Sequence, residues 1–179
     1  MIKYLLFIIP IVYGYELLNH YIPTSFTKQF HTDNSLRDYS NEVCNHINNF
    51  NIHRCIIISP STGSTNPVLQ NNINTISVSY TNDNYFGYTK LYSTNETDII
   101  INHKLLKTKN TLYNVLLHEI VHSIGLNHTL VPSVMNYTIF MNERNEIIED
   151  RRRIYLSIDD VRGLRFIKQS LKCINNNRD

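Results

Sequence analysis

The run His118-Glu119-Ile120-Val121-His122-Ser123-Ile124-Gly125-Leu126-Asn127-His128 constrains this chain more tightly than any other segment. His118 and His122 stand four residues apart, so on a helix they stack on one face, one turn above the other. Both imidazoles can then reach one ion at about 2.0–2.1 Å. Glu119, one residue on from the first ligand, projects to the side of the metal and can contact a bound water without taking a ligand position. A helix continuing past His122 would carry the chain away from the ion. Gly125 accepts positive φ at little steric cost, so it can end the helix and turn the chain. That turn brings His128 back as a third ligand. Three protein ligands leave one coordination position for water, which separates a catalytic zinc from a structural one.

With 8 His and 5 Gly in 179 residues, these five fixed positions match by chance in on the order of one chain in 10⁵. Two further motifs follow. Val131-Pro132-Ser133-Val134-Met135-Asn136-Tyr137 comes shortly after the last histidine, and Leu156-Ser157-Ile158-Asp159-Asp160-Val161-Arg162-Gly163-Leu164 lies beyond it. Ser157 is suited to cap a helix, with Asp159 and Asp160 in its favourable first turn. The order H-E-x-x-H-x-x-G-x-x-H, then a methionine turn, then L-S-x-x-D-[IV]-x-G-[IL] resembles the metzincin zinc peptidases, and within them the catalytic domain of the matrixins.

That resemblance implies a zincin-like α/β (α+β) domain: a twisted mixed sheet, a backing helix, the zinc helix and a C-terminal helix. It implies one catalytic Zn²⁺ on His118, His122 and His128, Glu119 as general base, and Met135 in the turn beneath the ion. Where the matrixin turn continues M-Y-P-x-Y, this chain has Met135-Asn136-Tyr137, closer to the M-x-Y of astacins and serralysins. Tyr137 is thus a candidate to bind the developing oxyanion, and equally a candidate to line the specificity pocket, with Ile139 and Phe140 as further apolar wall. The activity implied is hydrolysis of peptide bonds in an extended protein or peptide substrate. The other class of function is a zinc-binding or decoy protein without turnover; the intact Glu119 argues against it, because loss of the base is the simplest route to a silent copy.

Periodicity gives an element order of its own. A first strand is expected around Ser25–Phe30. Leu36, Tyr39, Val43, Ile47 and Phe50 recur at helical spacing and predict a helix over about 35–50. Cys55-Ile56-Ile57-Ile58 is a continuous apolar run, as in a strand buried on both faces. Pro60 to Pro67 reads as a loop. Thr75–Tyr80, Tyr88–Tyr92 and Asp98–Asn102 read as strands. Leu112, Val115, Leu116, Ile120 and Ile124 mark the buried side of the zinc helix, and residues 157–172 form the last helix. On the matrixin alignment, Gly87–Tyr92 is the exposed edge strand, able to pair with an extended peptide.

Residues 1–14 have a lysine, an apolar run too short to span a membrane and a small residue at the end, which predicts a secretory signal peptide cleaved after Gly14. Residues 15–179 are then a single secreted, monomeric domain, with no membrane insertion. The net charge of +2 gives no indication of a nucleic-acid partner. Cys44, Cys55 and Cys173 predict one disulfide and one free thiol in an oxidising compartment, with the pairing open. The chain departs from the matrixin pattern in two further places. It lacks the propeptide segment whose cysteine caps the zinc, and the histidine–aspartate clusters that hold a second zinc and calcium are not recognisable between residues 59 and 110. Only the one catalytic zinc is therefore expected. Arg151-Arg152-Arg153 reads as a solvated face, or as a contact for a polyanion.

Overall fold

A computed structural model describes residues 25, 27–58, 73–83, 85–92, 96–106, 108–136, 139–141, 147–150 and 155–176. The expected signal peptide, the loop from Pro60 to Pro67, the arginine triplet and Tyr137 lie outside the described residues.

Strand β1, Thr27–Thr32, alternates, with Lys28, Phe30 and Thr32 buried and the residues between them more open. The chain turns at Asp33, whose carboxylate accepts from Ser35 N–H at 2.8 Å, and passes through a 3₁₀ turn, Asn34–Leu36, into helix α1, Arg37–Asn48. Helix α1 buries Ser40, Val43, Cys44 and Ile47, the i, i+3, i+4, i+7 stripe of a helix laid on a sheet. Strand β2, Arg54–Ile58, then runs parallel to β1. A disulfide between Cys44 and Cys55 pins α1 to β2, and Cys173 is free and exposed. The expected count of one bridge and one thiol holds, and the two bridged sulfurs are bonded to each other rather than placed at a metal.

Strands β3 (Asn74–Ser79), β4 (Gly87–Leu91) and β5 (Thr97–Asn102) complete a five-stranded sheet in the order β2-β1-β3-β5-β4. All neighbours are parallel except β4, which is antiparallel to β5. Every residue of β5 is buried, as its near-central place requires. Strand β4 is the outer strand, as expected for Gly87–Tyr92. Strand β2 corrects the reading of a strand buried on both faces: it is the opposite edge, and Ile56, Ile57 and Ile58 are only partly buried. Asn48 covers that edge at Cys55, its amide donating to Cys55 C=O at 2.9 Å and accepting from Cys55 N–H at 2.8 Å.

Helix α2, Lys109–Ile124, is capped by Thr108, whose hydroxyl accepts from Thr111 N–H at 3.1 Å. It packs against α1, β4 and β5. Nearly every residue from Leu112 to Ile124 is buried, so this helix is the centre of the molecule rather than an amphipathic cover. At the start of β4, a Cβ on Gly87 would come within 2.9 Å of Val115 Cγ1, so glycine is what lets the strand lie close over α2. Strands β6 (Ile139–Met141) and β7 (Ile147–Asp150) form a small antiparallel hairpin that the sequence reading missed. Helix α3, Ile158–Asn176, follows and ends four residues later than expected. Its start is a reciprocal cap: Asp160 N–H donates to Ser157 Oγ at 3.2 Å, and Ser157 N–H donates to Asp160 Oδ2 at 2.8 Å. The architecture is the mixed-sheet α/β domain expected, and no helix among the described residues is long and apolar enough to cross a membrane.

His53, between α1 and β2, is buried and its Nε2 has no hydrogen-bond partner. Burial, helped by the positive charges of Lys28 and Lys168, lowers its pKa from the ordinary 6.5 to about 4. The folded protein keeps this imidazole neutral over a range where the unfolded chain protonates it. Its contribution is therefore complete above pH 6.5 and is lost as pH falls to about 4. The full loss is about 3 kcal/mol, since each pKa unit corresponds to about 1.4 kcal/mol. His53→Leu is expected to flatten this part of the stability profile, measured by urea unfolding at several pH values in chloride buffer. An acid limb as steep as in wild type would remove His53 as its cause.

Candidate metal centre

The structure brings His118, His122 and His128 together at the end of α2. Gly125 makes this possible: it sits at φ 117°, ψ 5°, and its N–H donates to His122 C=O at 2.9 Å. This left-handed cap ends the helix and reverses the chain. Leu126 C=O then accepts from Nδ1 of His122 at 2.7 Å, and His128 arrives two residues later. On the other side, Nδ1 of His118 donates to Val134 C=O at 2.7 Å. Carbonyl oxygens only accept, so in both rings the proton is on Nδ1 and the lone pair on Nε2.

The three Nε2 atoms face one another at 3.0 Å (His118–His122), 3.1 Å (His118–His128) and 3.1 Å (His122–His128). A triangle of that size has its corners about 1.8 Å from its centre, so one ion at the usual zinc–nitrogen distance of about 2.0–2.1 Å reaches all three from just outside their plane. Nitrogen lone pairs converging at this distance repel unless a cation lies between them. Burial lowers the pKa of His122 to about 4, which keeps its Nε2 unprotonated at neutral pH. His118 and His122 are buried, and His128 is exposed on the open side. Among the described residues this is the only cluster of metal-ligating side chains close enough to share an ion. The residues fit zinc: all-nitrogen donors, two of them oriented by backbone carbonyls that act as a second shell.

Glu119 is 6% exposed, and its Oε2 accepts from Thr89 Oγ1 of β4 at 2.7 Å. Met135 is buried at 1% exposure in the turn that supports His118. Its C=O accepts from Thr129 N–H at 3.0 Å, and its N–H donates to Ser133 Oγ at 2.9 Å. The same turn is fastened to α3, because Val134 N–H donates to Asp160 Oδ2 at 3.2 Å. Asp160 thus links the last helix through Val134 to the imidazole of His118. Burial raises its pKa against hydrogen bonds from Ser157, Val134 and Ser133, which act to lower it.

Three residues at the site went unassigned in the sequence reading. Thr89 holds Glu119 across the fold and had no local signal. Asp160 was read as a helix-start charge, not as the support of the turn. Lys28 donates from Nζ to Ser123 C=O and to Thr97 Oγ1, both at 2.6 Å. An ammonium there meets the negative end of the α2 dipole, one residue after His122. Burial lowers its pKa to about 7. The only hint of this role was a lysine in phase with Phe30 on the inward face of β1.

No curated protein matches the chain. Among solved structures, the GM1-bound form of the ECX AB5 holotoxin is similar, with a TM-score of 0.56 and 14% identity over 87% of this chain and 84% of that one, a likeness of fold alone. Archaemetzincin from Archaeoglobus fulgidus, complexed with malonate, aligns at 18% identity with a TM-score of 0.42 over 76% of this chain and 97% of that one. The family model described as matrixin matches residues 20–167. That span holds the sheet, the histidine cluster and most of the last helix, and the chain belongs to the matrixin family of zinc metallopeptidases.

Proposed function

We propose that this chain is a secreted endopeptidase that hydrolyses extended peptides at a single zinc, with Glu119 as general base. The observation that carries the reading is the triangle of Nε2 atoms at 3.0–3.1 Å, with the buried Glu119 next to His118 in the same helix. His118, His122 and His128 would hold the ion. When bound, zinc supplies Lewis acidity, bringing the pKa of its water towards neutrality and polarising the scissile carbonyl. Glu119 takes a proton from the attacking water and returns it to the leaving amine. Its burial strengthens both transfers by excluding bulk water. Met135 forms the floor under the cluster, in the turn whose Val134 carbonyl orients His118. The substrate lies along the outer edge of β4 by strand addition.

Secretion is supported by the apolar run of residues 1–14 and by the Cys44–Cys55 bridge, which fits an oxidising compartment. Tyr137 is proposed as an oxyanion partner on its position two residues after Met135. Tyr137→Phe is expected to lower turnover with KM retained; unchanged turnover would make it pocket wall instead. The whole reading is tested on the chain from residue 15, with zinc content measured and an unbiased peptide library digested with and without a chelator. Chelator-sensitive cleavage supports it. A zinc-loaded protein that cleaves nothing would move the chain to the class of zinc-binding decoys.

A further inference from the structure

Thr89 lies in the outer strand β4, opposite Ile99 of β5. Backbone bonds at the two ends of this pair fix its alternation: Asn102 N–H donates to Phe86 C=O at 2.8 Å, and Tyr92 N–H donates to Glu96 C=O at 3.1 Å. In an antiparallel ladder every second residue bonds to its partner, and the residues between direct N–H and C=O the other way. Phe86, Tyr88, Lys90 and Tyr92 therefore bond towards β5, while Gly87, Thr89 and Leu91 present backbone groups to the outer edge.

The side chain of Thr89 turns inward. Its Oγ1 is 2.7 Å from Oε2 of Glu119 and 2.9 Å from the Glu119 carbonyl oxygen. The hydroxyl has one proton, and the ionised carboxylate is the stronger acceptor. A β-branched side chain on a paired strand has little χ1 freedom, so this donor is a stiff one. We propose that Thr89 is a positioning residue: its hydroxyl fixes the carboxylate of Glu119, and its backbone receives the extended substrate, so that substrate pairing and the aim of the base are set by one residue. This rests on the peptidase reading above.

Two experiments decide it. In the zinc-loaded protein, Thr89→Val keeps shape and backbone but removes the donor. Its kcat is expected to fall roughly ten- to a hundredfold, the net worth of a hydrogen bond to a charged group, with KM for an extended peptide little changed. Thr89→Ser is expected to recover most of the loss. In the zinc-free protein, unfolding of Thr89→Val, Glu119→Ala and the double variant forms a cycle, and the two sites are expected to couple by roughly tenfold or more in the unfolding constant. Wild-type kcat in Thr89→Val, a Thr89→Ser as slow as Thr89→Val, or additive unfolding effects would each overturn the proposal. If wild type cleaves no peptide, the peptidase reading fails by itself, and the unfolding cycle still decides whether Thr89 holds Glu119.

Discussion

Replacing Glu119 with glutamine is expected to lower kcat by about 10²–10⁴-fold, the usual contribution of general acid–base catalysis, with zinc content unchanged. Glutamine keeps the volume of a side chain that is 6% exposed and keeps an oxygen for the Thr89 hydroxyl. What it removes is the ability to take a proton and give it back. No metal-ligating atom is lost, because the three imidazoles contribute the converging nitrogens. The defect should therefore appear in kcat with KM little altered, the pattern of an interaction made in the transition state. Steady-state kinetics beside metal analysis separates the outcomes. Full turnover in Glu119→Gln would remove Glu119 as the base. Loss of zinc together with turnover would make its role structural.

The part of the site that was legible is the part held by adjacent residues. Spacing of four on a helix places His118 and His122 on one face whatever the rest of the chain does, and a glycine three residues on predicts the turn. The structure has that turn, with Gly125 at φ 117°. Thr89 and Lys28 were not legible, because what gives them a role is a contact made across 30 and 95 residues of chain. A threonine in an outer strand and a lysine in a first strand look like many others until the sheet is folded over α2. Asp160 was half legible. Its place in a helix start follows from the Ser157 cap, but its bond to Val134 depends on how α3 docks.

The fold was read well where amphipathic patterning is strong, and less well at the edges. An unbroken run such as Cys55–Ile58 signals burial without saying which strands will flank it. Among the described residues β2 is an edge, and the Asn48 amide takes up the backbone N–H and C=O of Cys55 there, while the bridge ties the strand to α1. The β6–β7 hairpin was missed for a different reason. Residues 142–146 contain neither glycine nor proline, and Asn142 and Asn145 are weak turn signals in a chain where asparagine is common throughout. Three cysteines allow three pairings, and only the approach of α1 to β2, with the Cα atoms 5.0 Å apart, selects Cys44–Cys55.

Removing zinc is expected to lower the melting temperature by roughly 8–16 °C. A ligand that binds only the folded state at a thousand times its Kd contributes about 4 kcal/mol, and each kcal/mol moves a domain of this size by about 2–4 °C. The structural reason is the triangle of imidazoles. Two of its Nε2 lone pairs are fixed towards the centre by Nδ1 bonds to Leu126 and Val134, so without a cation the folded state holds them in mutual repulsion. The unfolded chain does not. The strain falls on the Gly125 turn and on the Met135 turn, which are tied to the rest of the molecule through these imidazoles and through Asp160. In His122→Ala the triangle becomes a pair, and the stabilisation by added zinc is expected to disappear, while the zinc-free melting temperature changes by less than the shift that zinc gives wild type. Differential scanning calorimetry at fixed pH, with chelator and then with excess zinc, measures both. An unchanged melting temperature in wild type, or a full zinc-dependent shift in His122→Ala, would mean that these histidines do not hold the ion.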